Sequence, residues 1–176
     1  MTKVVSLFIV LLFAAMSLTT NAADYTTSKS KVVSINPLSL TYGRLNASLE
    51  FKQGTSNSLT VTAGYWDWGW GYSALNVGAS YKWYIDAFDE GKKSLNGLAV
   101  GPRADFYYNN YSGSYSSIYD SYSTFTIGAE VSYKWVFGDG KWAVEPNFSF
   151  GIPLTKNRSG YAWQSWGWGV NIGYCF

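Results

Sequence analysis

The sequence predicts an all-β fold, an eight-stranded antiparallel transmembrane β-barrel. Three observations predict it. Apolar and polar residues alternate with a two-residue period through segment after segment, as in strands with two unlike faces. Aromatic residues make up 19% of the chain, with nine Trp and fifteen Tyr. That exceeds what a core of this size needs and suits girdles at two membrane interfaces. The alternating segments run to about ten residues, the length of a tilted strand that crosses a hydrocarbon layer.

The chain opens on a targeting pattern rather than on a strand. Lys3 precedes an apolar run from Val4 to Leu18, and Thr20-Asn21-Ala22 has the small residues of a cleavage site. The expected division is a signal peptide over 1–22, a polar leader over 23–31 and the barrel domain over 32–176. The apolar run is too short for a spanning helix, and no later stretch is long enough, so a helical membrane protein is excluded for the mature chain.

The strands follow in order. Lys31 to Leu40 carries Val33 and Ile35, but Pro37 interrupts it and its pattern is the weakest. Arg44 to Lys52 sets Leu45, Ala47, Leu49 and Phe51 against Arg44, Asn46, Ser48, Glu50 and Lys52. Leu59 to Trp66 sets Leu59, Val61, Ala63 and Tyr65 against Thr60, Thr62 and Gly64. Leu75 to Asp86 alternates Leu75, Val77, Ala79, Tyr81, Trp83 and Ile85 with Asn76, Gly78, Ser80, Lys82 and Tyr84. Gly97 to Asn109 places Arg103 and Asp105 opposite Ala104 and Phe106. Thr124 to Phe137 puts Phe125, Ile127, Ala129, Val131, Tyr133 and Trp135 opposite Gly128, Glu130, Ser132 and Lys134. Trp142 to Thr155 opposes Val144, Phe148, Phe150 and Ile152 to Glu145, Asn147, Ser149 and Gly151. Trp166 to Phe176, WGWGVNIGYCF, alternates without a break.

One turn fixes a register by itself. Asp139-Gly140 between two alternating runs favours a two-residue type I′ hairpin. It pairs Trp135 with Val144 on the apolar face and Lys134 with Glu145 on the polar face. A one-residue slip would break both matches. Pro37, Pro102, Pro146 and Pro153 fall inside proposed strands, where a closed barrel offers no free edge. Bulges or unbonded sites must accommodate them.

The alternating C-terminal strand that ends on Tyr174 and Phe176 resembles the C-terminal assembly signal of bacterial outer-membrane barrels. The segments GLAVGPRADFYY and AVEPNFSFGIPL resemble strands of small outer-membrane barrels, in which such Gly-Pro and Glu-Pro steps recur. From about Val32 to Phe176 the chain is similar to the small outer-membrane β-barrel superfamily of OmpA/OmpX type. The resemblance implies an up-and-down barrel in the outer membrane of a diderm bacterium, inserted by the barrel-assembly machinery. Outer-membrane lipid and lipopolysaccharide would surround it, and a monomer is expected. It supplies no catalytic motif to carry over. Counting back from Phe176, the turns near Gly54–Asn57, Ala87–Asn96 and Asp139–Gly140 are periplasmic. Those near Tyr42–Gly43, Asp67–Gly71, Tyr111–Tyr122 and Lys156–Gly160 are extracellular.

Composition narrows the function further. With Lys3 removed, 12 Lys and Arg face 11 Asp and Glu, a net charge of +1. No basic patch argues for nucleic acid. The single Cys175 cannot form an intrachain disulfide. The chain has no His, so the Ser-His and Asp-His chemistry of outer-membrane hydrolases is unavailable. The expectation is a non-enzymatic protein with no cofactor and no metal. Arg44, Glu50, Lys82, Arg103, Asp105, Glu130, Lys134 and Glu145 fall on the polar face. In a barrel whose interior is just filled by side chains they are expected to form a lumenal ion-pair network. Trp66, Trp68 and Trp70 are a candidate surface-binding platform, against the alternative of interfacial Trp re-aimed by a glycine bulge. The expected role is structural or surface-interacting, with a ligand taken by the extracellular loops. The alternatives are a narrow pore and a soluble secreted β-sandwich or lipocalin-like binder.

Overall fold

A computed structural model describes residues 29–67, 71–85, 95–112, 121–155 and 166–176. Among these residues the strands are β1 (Lys31–Ile35), β2 (Arg44–Lys52), β3 (Asn57–Asp67), β4 (Tyr72–Ile85), β5 (Gly97–Tyr111), β6 (Tyr122–Phe137), β7 (Trp142–Pro153) and β8 (Trp166–Cys175), with one short helix, α1 (Pro37–Leu40). Each strand pairs antiparallel with its sequence neighbours, and β1 closes on β8. The predicted eight-stranded antiparallel barrel is the fold, with up-and-down connectivity. The signal peptide, most of the leader, Trp68, Trp70 and the segments 86–94, 113–120 and 156–165 lie outside the described residues.

The first strand is shorter than its sequence suggested. It stops at Ile35, because Pro37 lacks the N–H a strand needs and sits naturally in the first turn of a helix. Asn36 caps that helix, its side chain accepting from the Ser39 N–H at 3.2 Å. Phe176 completes the seam. Its N–H donates to the Lys31 carbonyl at 2.9 Å, and its carbonyl accepts from Lys31 at 3.0 Å.

The β6–β7 hairpin has the expected register, with Trp135 opposite Val144. Asp139 and Gly140 both take positive φ, 57° and 76°, and the Lys141 N–H donates to the Gly138 carbonyl at 3.1 Å. Both central residues of a type I′ turn require this left-handed conformation.

The internal prolines are absorbed by unbonded sites rather than bulges. On β4–β5 the ladder runs from Ser80↔Arg103 to Trp83↔Val100, skipping the rungs at Pro102 and Gly101 without changing register. On β6–β7 it passes from Ser132↔Asn147 to Trp135↔Val144 across Pro146 in the same way. A bulge would have shifted one side by a residue. Gly101 is what lets the strands meet at the first site. A Cβ there would lie 1.7 Å from the Tyr81 carbonyl oxygen. Gly101→Ala is therefore expected to cost about 1–3 kcal/mol in denaturant unfolding. Gly151→Ala, whose Cβ meets nothing nearer than 3.4 Å, should stay within about 0.5 kcal/mol.

The two faces separate cleanly. Val33, Leu45, Val61, Val77, Phe106, Ile127, Val131, Phe148, Trp168 and Ile172 all point outward and are exposed. Tyr174 and Phe176 join them at the terminal end of the barrel, where β1 starts and β8 finishes. There Tyr174 packs edge-on against Trp142, ring centroids 5.3 Å apart.

Candidate functional site

Alternation turns the polar residues of all eight strands inward, so the candidate site is the lumen. It is stacked in layers. At the terminal end Val32, Val136, Ala143 and Cys175 meet Leu95 in a fully enclosed apolar cluster. Leu95 enters from the β4–β5 connection with φ 74°. Nothing in the alternation marks it, because it lies in a turn region and its conformation is unusual for a branched side chain.

Above this plug lies a layer of charge. Lys82 Nζ lies 2.5 Å from Glu145 Oε1, 3.2 Å from Glu130 Oε1 and 3.6 Å from Glu50 Oε2. Lys134 Nζ donates to Glu50 Oε2, and it lies 3.5 Å from Glu145 Oε2. Glu50 also accepts from Ser58 Oγ at 2.5 Å and from the Tyr84 hydroxyl at 2.6 Å. Its carboxylate is thereby surrounded by donors, as a buried charge requires. Arg103 extends the layer toward the opposite end. It grips Asp105 through two nitrogens at 2.7 and 2.8 Å and reaches Glu130 Oε2 at 2.6 Å.

Seven of the eight charged residues picked out by sequence thus lie in one connected cluster. The partners are not the ones register alone suggests. Lys134 and Glu145 oppose each other across the hairpin, yet each has a nearer partner, Glu50 for Lys134 and Lys82 for Glu145. The eighth, Arg44, stands apart. No carboxylate lies within ion-pairing distance of it among the described residues. It donates instead to the Asn46 and Asn76 side-chain oxygens at 3.2 and 3.5 Å. Gly64 makes room for both amides, since a Cβ there would fall 2.1 Å from Asn46 and 2.2 Å from Asn76. Gly78 does the same for Asp105. The small residues interleaved on the polar faces of β3 and β4 are space for larger side chains of neighbouring strands.

The expectation for Trp66 is corrected. It is neither a surface platform nor an interfacial anchor. It is 6% exposed and points into the lumen, as parity after the outward Tyr65 demands. The Arg44 guanidinium lies over its ring, 4.5 Å from the centroid. Tyr107 meets it edge-on at 6.2 Å. Ser58 and Tyr84, the partners of Glu50, share the inward parity; no pattern could have tied their hydroxyls to that carboxylate.

Fold and site together define a class: a closed eight-stranded barrel with its apolar side chains outside and its charges inside, the reverse of a water-soluble barrel. Among solved structures the chain is similar to the N-terminal β-barrel domain of Pseudomonas aeruginosa OprF, at 13% identity and TM-score 0.49, covering 84% of this chain and 98% of that one. It is also similar to the Yersinia pestis outer membrane protein Ail in a phospholipid bilayer nanodisc, at 9% identity and TM-score 0.49, covering 85% and 100%. No protein-family model matches the chain, and neither does any curated protein.

Proposed function

We propose that this protein is an integral outer-membrane barrel with a closed lumen and a structural or surface-interacting role, without catalytic activity. The observation that carries it is the inversion of polarity. Apolar side chains occupy the outward positions of every strand while Glu50, Lys82, Glu130, Lys134 and Glu145 are sealed within. In water that outer belt would be an apolar surface far larger than soluble proteins tolerate. In lipid it is the expected surface of a spanning barrel, whose backbone groups are all paired between strands. The apolar plug, the ion pairs and the Arg44 layer occupy successive levels of the lumen, which supports a filled barrel over a pore. Any ligand at the cell surface would be taken by the connections at the end opposite the termini.

Phe176 would act as the assembly signal, with Tyr174 beside it on the lipid face. The test is expression of the full chain and of Phe176→Ser in a diderm host, read by outer-membrane fractionation and heat-modifiable electrophoretic migration. Ser keeps the backbone bonds to Lys31 and loses only the outward ring. The expected outcome is a heat-modifiable wild-type band in the outer membrane and a strong loss of that band for Phe176→Ser. The same variant should still refold in detergent. A wild-type chain that fractionates as a soluble protein would defeat the membrane assignment. Normal outer-membrane levels of the variant would defeat the signal alone.

A further inference from the structure

At the end of the barrel where β1 starts and β8 finishes, basic side chains gather on one arc. Lys141 stands immediately before β7, Lys31 opens β1 and Lys52 closes β2. Strands β7, β8, β1 and β2 are consecutive around the barrel. The Cys175 N–H donates to the Lys141 carbonyl at 2.7 Å, and the Phe176 N–H to the Lys31 carbonyl at 2.9 Å. Neighbouring strands lie about 4.8 Å apart, so Lys141 and Lys31 stand about 10 Å apart with the end of β8 between them. Both are exposed. The Phe176 carboxyl oxygen between them is taken by the Ser30 and Lys31 N–H groups at 3.2 and 3.0 Å. Among the described residues no acidic side chain lies within ion-pairing distance of either ammonium.

The opposite arc is not basic. There β3 starts at Asn57, β4 finishes at Ile85, β5 starts at Gly97 and β6 finishes at Phe137. The β4–β5 connection carries Asp86, Asp89 and Glu90 against Lys92 and Lys93. On the basic arc Asp139 offsets one lysine, and Asp24 of the leader is offset by Lys29.

The outward side chains beside the exposed lysines are aromatic. Lys31 Nζ lies over the Phe176 ring, 5.9 Å from its centroid. One step further along the outer face Trp142 and Tyr174 pack edge-on, and all three rings are exposed. Trp and Tyr at the boundary of a bilayer sit at headgroup level, their polar tips toward water. Val33 and Ile172 continue the apolar face beyond them. We propose that this arc binds an anionic glycerophospholipid, its phosphate between Lys31 and Lys141 and its acyl chains along Phe176, Tyr174 and Ile172. The inference rests on the membrane reading above and adds a lipid preference to it. Lysines at such a boundary lay their stems on apolar surface and hold the ammonium at the headgroups. A soluble anion would meet only the charge, whereas a bilayer phospholipid meets the charge and the apolar strip together.

The test uses the full chain, labelled with ¹⁵N, in phosphatidylcholine nanodiscs. A trace of phosphatidylglycerol, or of phosphatidylcholine, carries a nitroxide near the glycerol end of one acyl chain. Nuclear magnetic resonance reads the broadening of each amide. The phosphatidylglycerol label should broaden the Lys31, Lys141 and Phe176 amides about fivefold more, the gain expected from a lysine beside an anionic headgroup. The Ile85 and Leu98 amides, on the far side, should respond alike to the two labels. Lys31→Gln with Lys141→Gln should abolish the preference, and Lys31→Arg with Lys141→Arg should keep it. Both positions are exposed, so neither pair disturbs the core. Glycerol 3-phosphate at the concentration of the label should leave the preference unchanged. Four results would each overturn the proposal with the membrane reading intact: equal broadening by the two labels at Lys31 and Phe176, the same preference at Ile85 and Leu98, full preference in the Gln pair, or its loss to glycerol 3-phosphate. A chain that does not enter the nanodiscs would overturn the membrane reading and the proposal with it.

Discussion

Replacing Glu50 by Gln should destabilise the barrel by about 3–5 kcal/mol, the cost of depriving a buried cation of its nearest anion. Glu50 is 3% exposed, and it is the nearest carboxylate to Lys134 and also faces Lys82. Gln keeps the shape and can still bond Ser58 and Tyr84, so the loss reports charge rather than volume. Adding Lys134→Met to Glu50→Gln should recover much of the loss, because the stranded cation is removed. A double-mutant cycle in urea unfolding of the refolded barrel measures that coupling. The same cycle on Lys134 and Glu145 should give a smaller value, since that pair is 3.5 Å apart and Glu145 is already held by Lys82 at 2.5 Å. Single losses that add within about 0.5 kcal/mol would show that Glu50 and Lys134 do not interact. A Lys134–Glu145 coupling as large as the Glu50–Lys134 one would show that the hairpin pair, not the cross-lumen pair, dominates.

The second large effect lies on the outer surface. Val131 faces outward midway along β6, opposite Val100 on β5 and Phe148 on β7. Arg at this position should cost about 2–4 kcal/mol when the barrel unfolds from a bilayer, because the charge must enter hydrocarbon. Arg at Trp142, outward on the first residue of β7 beside the terminal end, should lose only about 0–1 kcal/mol through its charge, plus whatever the lost Tyr174 contact contributes. Trp142→Gln measures that contact separately, so the charge effect at each depth can be compared. On a surface that faces water, Arg at Val131 would stay within about 0.5 kcal/mol. Charge costs that do not differ with depth would count against a spanning barrel.

The parts of this fold that the sequence reveals are those governed by neighbours along the chain or across one hairpin. Period-two alternation gives each strand its two faces, and Asp139-Gly140 sets the β6–β7 register because turn geometry and side-chain pairing agree. Pro37 misleads within such a pattern. The residues around it alternate enough to look like strand, yet the ring and the Asn36 cap favour a helical turn. The lumen is harder to read for a different reason. Lys134 on β6 meets Glu50 on β2, 84 residues away, and no periodicity carries information across the barrel. Trp66 shows two signals in conflict. Aromatic enrichment argued for an interface, while simple parity argued for the interior, and parity prevailed because Arg44 and Tyr107 provide the ring with a lumenal partner on its face and at its edge. Leu95 carried no signal at all, since its role depends on where a turn folds back into the barrel.

The central claim is that lipid contacts one face of every strand and never the other. It is tested most directly by placing the barrel in bilayers whose acyl chains carry a nitroxide near their midpoint and measuring the relaxation each outward and inward side chain experiences. Val77, Val131 and Phe148 should be strongly broadened, while their neighbours Asn76, Ser132 and Asn147 should be affected much less, so that broadening alternates along β4, β6 and β7 with a period of two. Broadening that ignores this alternation, or that falls on Asn76, Ser132 and Asn147 instead, would contradict the account.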